Sequence, residues 1–204
     1  MKINDLYITQ AVCIKEGKLV HNNLEIALNR PENKDFFQVL YDELEIDYPR
    51  FFKMDAMGKL GIAAGHLLLK DFAINIYQTE ELGIVLSNRS GSIEADVNYF
   101  ESAKTFPSPS LFVYTLPNIV IGEISIRYGF KGENAFFISE QFNAEWMVFY
   151  VNDLMENRGI RACICGWIDV QDGQYDVRLF LIEKGKNNGL NFTAGQLDRM
   201  GATA

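Results

Sequence analysis

Residues 144–155, AEWMVFYVNDLM, are apolar on nearly every side of the helix they would form. Such a helix has no polar stripe to present to water. It belongs in the middle of a protein, between other layers, and not on its surface. The next segment narrows the choice further. Two apolar runs, Arg161 to Val170 and Gln174 to Glu183, flank a turn containing Asp172-Gly173. Asp-Gly tolerates the positive φ angles of a two-residue hairpin loop, so these runs read as adjacent antiparallel strands.

Upstream, strands and helices alternate. Leu6 to Ile14 reads as a strand bounded by the polar KEGK. Glu32 to Leu44 comes after Pro31 and carries Phe36, Phe37, Val39, Leu40 and Leu44 at helical spacing. A second helix spans Asp55 to Phe72, and its Gly61 and Gly65 would let a neighbour approach closely. Gly83 to Ser87 (GIVLS) is a short buried strand ending in the polar loop NRSGS. Next comes a helix over Ile93 to Lys104, with Glu94 and Asp96 in the first turn, where the macrodipole favours acids. A Pro/Ser-rich loop occupies 106–110. Pro117 to Gly129 is strand-like by propensity, and Ala135 to Ser139 (AFFIS) is a clearer strand. Alternation of this kind implies an α/β fold: a five-stranded mixed sheet, mostly parallel with its last strand antiparallel, and helices on both faces. The expected domain spans 1–184. The tail, 185–204, is glycine-rich and poor in large apolar residues, which predicts a loosely ordered segment.

The 204 residues suit one domain or one unit of a duplicated fold, and 48% hydrophobic content supports a substantial core. A formal net charge of −8 without a basic cluster disfavours nucleic acid and anionic membranes. No apolar run is long enough to span a bilayer, and MKINDLYITQ lacks the apolar core of a signal peptide, so the expected location is cytoplasmic. The cysteines are Cys13, Cys163 and Cys165. The last two share one face of a strand with no nearby His, which predicts buried apolar thiols and not a metal site. His21, in a polar HNN loop, is expected to be exposed, and His66 to be a partly buried helical His. Asn88 to Ser92 could cradle a phosphate at a helix start, but it lacks the Gly-rich, Lys-bearing fingerprint and fits a turn with a cap better. Asp47, Asp55, Glu94 and Asp96 are not spaced as a metal or paired-carboxylate site. No metal and no cofactor is expected.

Four strings, in this order and spacing, carry a resemblance: KMDAMGKLGIAAGHLLLKD (53–71), GIVLSNRSGSIEAD (83–96), SPSLFVYTLPNIVIGEISIRYGFKGEN (108–134) and FFISEQFNAEW (136–146). Together they resemble the N-terminal half of a β-ketoacyl synthase, a thiolase-type condensing enzyme, over roughly residues 1–184. The resemblance implies that 117–128 is helical, against propensity. It also implies where the chemistry would be. Condensing enzymes form an acyl-thioester on a cysteine at a strand-to-helix corner, where the helix N-terminus favours thiolate and oxyanion; His or His/Asn residues from the second half assist.

Here that corner is Ser139-Glu140-Gln141-Phe142-Asn143. The closest alignment puts Gln141 at the nucleophile position, with Phe142 as the alternative register. Neither is a cysteine, and Gln cannot form an acyl-enzyme. Gln141 then either caps the local loop or lines a relict acyl pocket. The pair Glu140-Gln141 resembles chain-length factors, the inactive partners of polyketide ketosynthases. The implied function is a non-catalytic, chain-length-factor-like subunit in fatty-acid or polyketide (aryl-polyene-type) biosynthesis. The alternative is a carrier-protein- or CoA-dependent acyltransferase or decarboxylase with an unrecognised site. The implied partners are a second copy or a full-length ketosynthase, meeting the apolar 144–155 helix or the 135–139 strand, with acyl carrier protein engaged only indirectly.

Overall fold

The computed structural model describes residues 5–185 and 189–201. Its strands are β1 (Leu6–Lys15), β2 (Lys18–His21), β3 (Leu24–Ile26), β4 (Leu82–Asn88), β5 (Asn134–Ile138), β6 (Ala162–Gln171), β7 (Gln174–Lys184) and β8 (Leu190–Asn191). Its helices are α1 (Phe36–Glu43), α2 (Ala56–Leu69), α3 (Ile93–Ala103), α4 (Pro109–Val113), α5 (Ile119–Tyr128), α6 (Ala144–Asn157) and α7 (Ala194–Gly201).

The strands form one 8-stranded sheet in the order β3-β2-β1-β7-β6-β4-β5, with β8 also pairing with β1. This corrects the expected five. The five anticipated strands are present, and β1, β4, β5 and β6 run opposite to β7. The parallel pairings are β4–β5 and β4–β6, and β7 lies antiparallel between β1 and β6. The extra strands arise because the chain after β1 turns back twice. Glu16-Gly17 and Asn22-Asn23 hold positive φ at both positions, as does Asp172-Gly173. All three are two-residue hairpin turns of the mirror-image kind that matches strand twist. KEGK is therefore a turn and not a boundary. His21 ends β2, partly buried, with Nε2 2.8 Å from Gln10 Oε1, and is not in an exposed loop.

Two apolar layers cover the sheet. On one face α1, α2 and α5 pack Leu40, Leu60, Ala63 and Ile124 against Ile84 and Ile164. On the other, α6 and α7 pack Met147, Val151 and Leu197 against Val85, Cys163 and Phe180. A bulge between Ile8 and Gln10 in β1 shifts the side-chain alternation by one residue. Leu6, Ile8 and Ala11 thereby all face the α6 layer, while Val12 and Ile14 face the other. Gly61 does allow close approach: a Cβ there would overlap Val120 of α5.

Segment 119–128 is helical, as the resemblance implied, although β-branched residues crowd it. Burial of Val120, Ile121 and Ile124 against α2 overrides a preference worth a few tenths of a kcal/mol per residue. The loop expected at 106–110 ends early, since Pro109 already opens α4. The segment after Gly185, expected to be loose, instead carries β8 and α7, with Phe192 and Leu197 buried. Three buried apolar anchors spaced along it, Phe192, Leu197 and Met200, outweigh its glycines.

Candidate functional site

The β5-to-α6 corner is built beside β4, the strand next to the β5 edge, every residue of which is buried. Ser139 N–H donates to the Asn88 carbonyl at 2.8 Å, so the corner continues the parallel pairing. Ser139 Oγ donates to the Gln141 carbonyl at 3.0 Å and closes a tight bend. Asn143 is the helix cap: its Oδ1 accepts from Trp146 N–H at 2.9 Å. Capping therefore falls to Asn143, and the Gln141 side chain is exposed beside Glu140.

Phe142 turns inward, its ring 6.5 Å from Trp167 and 6.4 Å from Phe180. With Gln141 and Phe142, a cleft of about 390 Å³ is lined by Arg89, Trp167, Asp169 and Arg178. Arg178 is held by a two-point ion pair to Asp176 at 2.9 and 2.5 Å. Neither a thiol nor an imidazole lines this cleft. Arg178 is already paired with Asp176 within the chain, Asp169 accepts from the backbone at 89–90, and an amide offers no nucleophile.

The three thiols are elsewhere and are poor nucleophiles. Burial pushes Cys13 up to about 11 and Cys163 up to about 12, and holds Cys165 well above the ordinary range. A thiolate fraction vanishes under those conditions. His66 lies half-buried in α2, and burial, with help from Arg127, lowers its pKa. His21 is likewise lowered, chiefly by burial.

The NRSGS loop does not offer its backbone to a phosphate. Asp169 Oδ1 accepts from Arg89 N–H at 3.1 Å and Ser90 N–H at 2.8 Å, filling the concavity with the chain's own carboxylate. The four acids singled out in the sequence stay separate in role. Asp55 Oδ1 caps α2 through Gly58 N–H at 2.8 Å. Glu94 accepts from Gly173 N–H at 2.6 Å. Asp96 accepts from Ser92 Oγ at 3.3 Å. For Asp47, the backbone carbonyl accepts from Arg127. Among the described residues no group of His, Cys, Asp or Glu is arranged to hold a metal ion.

Sequence reasoning missed two buried charges: Glu183 at the end of β7, which accepts from the Tyr77 hydroxyl at 2.8 Å, and one in α5. Glu123, 2% exposed in α5, receives Arg50 at 3.0 Å and the Tyr114 hydroxyl at 3.3 Å. The signal was present as a lone acid inside PNIVIGEISI, where a solvated helix face would carry several polar residues.

Comparison with solved structures bears on this geometry. The chain superposes on the ishigamide ketosynthase/chain length factor with a TM-score of 0.63 at 15% identity, covering 90% of this chain and 63% of that one. It superposes on the ketosynthase (ApeO) in complex with its chain length factor (ApeC) from Xenorhabdus doucetiae with a TM-score of 0.59 at 16% identity, over 91% and 81% of the two chains. A β-ketoacyl synthase from Burkholderia phymatum matches at a TM-score of 0.57 and 12% identity, over 89% and 59%. The fold is that of the ketosynthases and chain length factors. No protein-family model and no curated protein matches the sequence. The chain spans 63% of the length of the first of these structures. Within that shared fold, helix α6 lies under α7 and is less exposed than expected. Met147 and Val151 are buried, Phe137 shields Trp146 and Tyr150, and Phe149 is the large residue left outside at 71% exposure.

Proposed function

We propose that this chain is a non-catalytic, chain-length-factor-like subunit that works beside a ketosynthase in polyketide, aryl-polyene-type or fatty-acid biosynthesis in the cytoplasm. One observation carries this reading: the corner at which the fold would present its nucleophile bears the exposed Gln141, flanked by Glu140 and Phe142. The neighbouring folds support the pairing, since one is a ketosynthase bound to its chain length factor. A type II polyketide acyl-carrier protein bound to its ketosynthase is another such neighbour, at a TM-score of 0.60 and 14% identity. The net charge of −8 makes this chain a poor dock for an acidic carrier protein, so carrier contact falls to the partner. The Phe142 register leads to the same conclusion, because its ring is committed to packing.

The test is incubation with radiolabelled malonyl and acyl thioesters. No covalent label and no CO₂ release are expected from the chain alone. Labelling that persists in Gln141→Ala and in the three Cys→Ser variants would sink the non-catalytic reading and favour an acyltransferase or decarboxylase.

A further inference from the structure

A cavity of about 290 Å³ lies where the N-terminal turn of α2 meets α3 and α4. Small residues line it from both sides, Ala56 on α2 and Gly91 and Ala95 at the start of α3, and none is large enough to fill the gap. Its α3 wall is formed by Glu94, Ala95 and Asn98, on the other side of the helix from the exposed stripe of Ile93, Val97 and Phe100. It shares no lining residue with the cleft at Gln141. Ligand pockets run from about 300 to 1,000 Å³, so this one fits a small molecule and is too small for a nucleotide cofactor or a long acyl chain.

The walls divide by charge. Asp55 accepts from Gly58 N–H at 2.8 Å through one oxygen, and its other oxygen has no partner among the described residues. Glu94 lines the same cavity and lies near enough to Asp55 to push its pKa up. The Tyr114 hydroxyl, a third lining group, and Arg50 both donate to Oε1 of Glu123, whose Oε2 is left buried without a partner. Acceptors are therefore in excess around Asp55. Lys53 and Asn98, by contrast, make no side-chain hydrogen bond or ion pair among the described residues, while Lys59 lies over the Phe37 ring at 5.0 Å. The remaining wall is apolar, with Met54, Met57 and Val170 all buried. An anion alone would meet two carboxylates here and a cation alone two lysines, and a charge left unpaired in a cavity is costly. A ligand that bears both charges satisfies both sets of groups. We propose that the cavity binds a small zwitterion, an α-amino acid with an apolar side chain, with its ammonium on Asp55 and Glu94, its carboxylate on Lys53 and Asn98, and its side chain on the methionines.

The experiment is calorimetric titration of the full chain with L-leucine and L-phenylalanine, beside isoamylamine and 4-methylpentanoate, each of which keeps an apolar body and one charge. One of the amino acids should bind with a Kd of about 1 mM or tighter, and both single-charge compounds at least tenfold more weakly. In methyl-labelled protein, the NMR signals of Met54 and Met57 should move on binding. Lys53→Met alters an exposed side chain and should weaken the amino acid at least tenfold while leaving isoamylamine unchanged. Asp55→Asn keeps the capping oxygen and should weaken the amino acid and isoamylamine alike. Wild-type affinity should rise about tenfold between about pH 5 and 7.5, as Asp55 loses its proton among Lys59, Glu94, Glu123 and the Tyr114 hydroxyl, and should stay flat in Asp55→Asn. Thermal melts without ligand identify a variant that fails to fold. Absence of binding by either amino acid at about 10 mM overturns the inference. So does binding that moves neither methionine signal, or that both variants leave intact, and so does isoamylamine binding as tightly as the amino acid. None of these outcomes touches the proposed function.

Discussion

Asp55 shows what a single buried group does to this protein. Its burial raises the carboxyl from 3.8 to about 6, while Gly58 N–H and Lys59 pull it down and Glu94 and Glu123 push it up. A folded-state value above the unfolded one means that the protonated form stabilises the fold. That contribution is full below about pH 4 and is lost as pH rises through 6, a change on the order of 2–3 kcal/mol. Asp55→Asn keeps a capping oxygen and abolishes the titration. Urea unfolding should therefore show the variant gaining on the wild type between pH 4 and 6.5, and a constant difference across that range would contradict it. The thiols give a second residue-scale outcome. With all three buried and raised, a thiol-specific reagent at pH 8 should label the native protein only at the rate of unfolding, and all three at once in denaturant. Removing Arg50 leaves Glu123 buried with the Tyr114 hydroxyl alone. Arg50→Ala should cost about 2 kcal/mol in urea, less than a fully buried pair because Arg50 is itself half-exposed.

At the scale of elements, two short pieces determine whether the α6 layer is complete. Asn143 starts α6 with a side-chain cap, and Asn143→Ala should cost about 1 kcal/mol without altering the cleft at Gln141. Helix α7 closes the outer side of α6. Leu197 is fully buried there, so Leu197→Ala should cost about 3 kcal/mol. Truncation after Gly185 removes Phe192, Leu197 and Met200 together and uncovers Met147 and Val151. Raised binding of a hydrophobic dye and loss of solubility are expected, and a truncated chain as soluble and as stable as the full one would show that α7 is dispensable. A glycine-rich stretch looked loose because composition averages over positions, whereas docking depends on where a few large side chains fall.

For the whole molecule, the consequence is a chain with the ketosynthase fold that keeps its sheet covered on both faces yet leaves an apolar surface on α3 and α4. Adding ketosynthase to 100 times its dissociation constant should raise the unfolding free energy by about 2.7 kcal/mol, and an unshifted melt would speak against association. Much of this was legible in the residues themselves. The Asp172-Gly173 hairpin, the sheet with helices on both faces and the shared face of Cys163 and Cys165 all come from local pattern, because alternation and turn chemistry are properties of neighbours in sequence. Helix α5 was legible only through the family resemblance, since its β-branched residues favour a strand until α2 covers them. The other features required the folded chain. Glu16-Gly17 and Asn22-Asn23 become hairpin turns because β1 is already anchored along β7. Asp169 occupies the loop at 88–92, and Arg50 meets Glu123, across separations of about 80 and 73 residues. The outward stripe of α3 is invisible to periodicity, which reports that a helix has an apolar side but not which way that side points. Long-range packing sets that direction, and it is settled only when the rest of the chain has taken the inner positions.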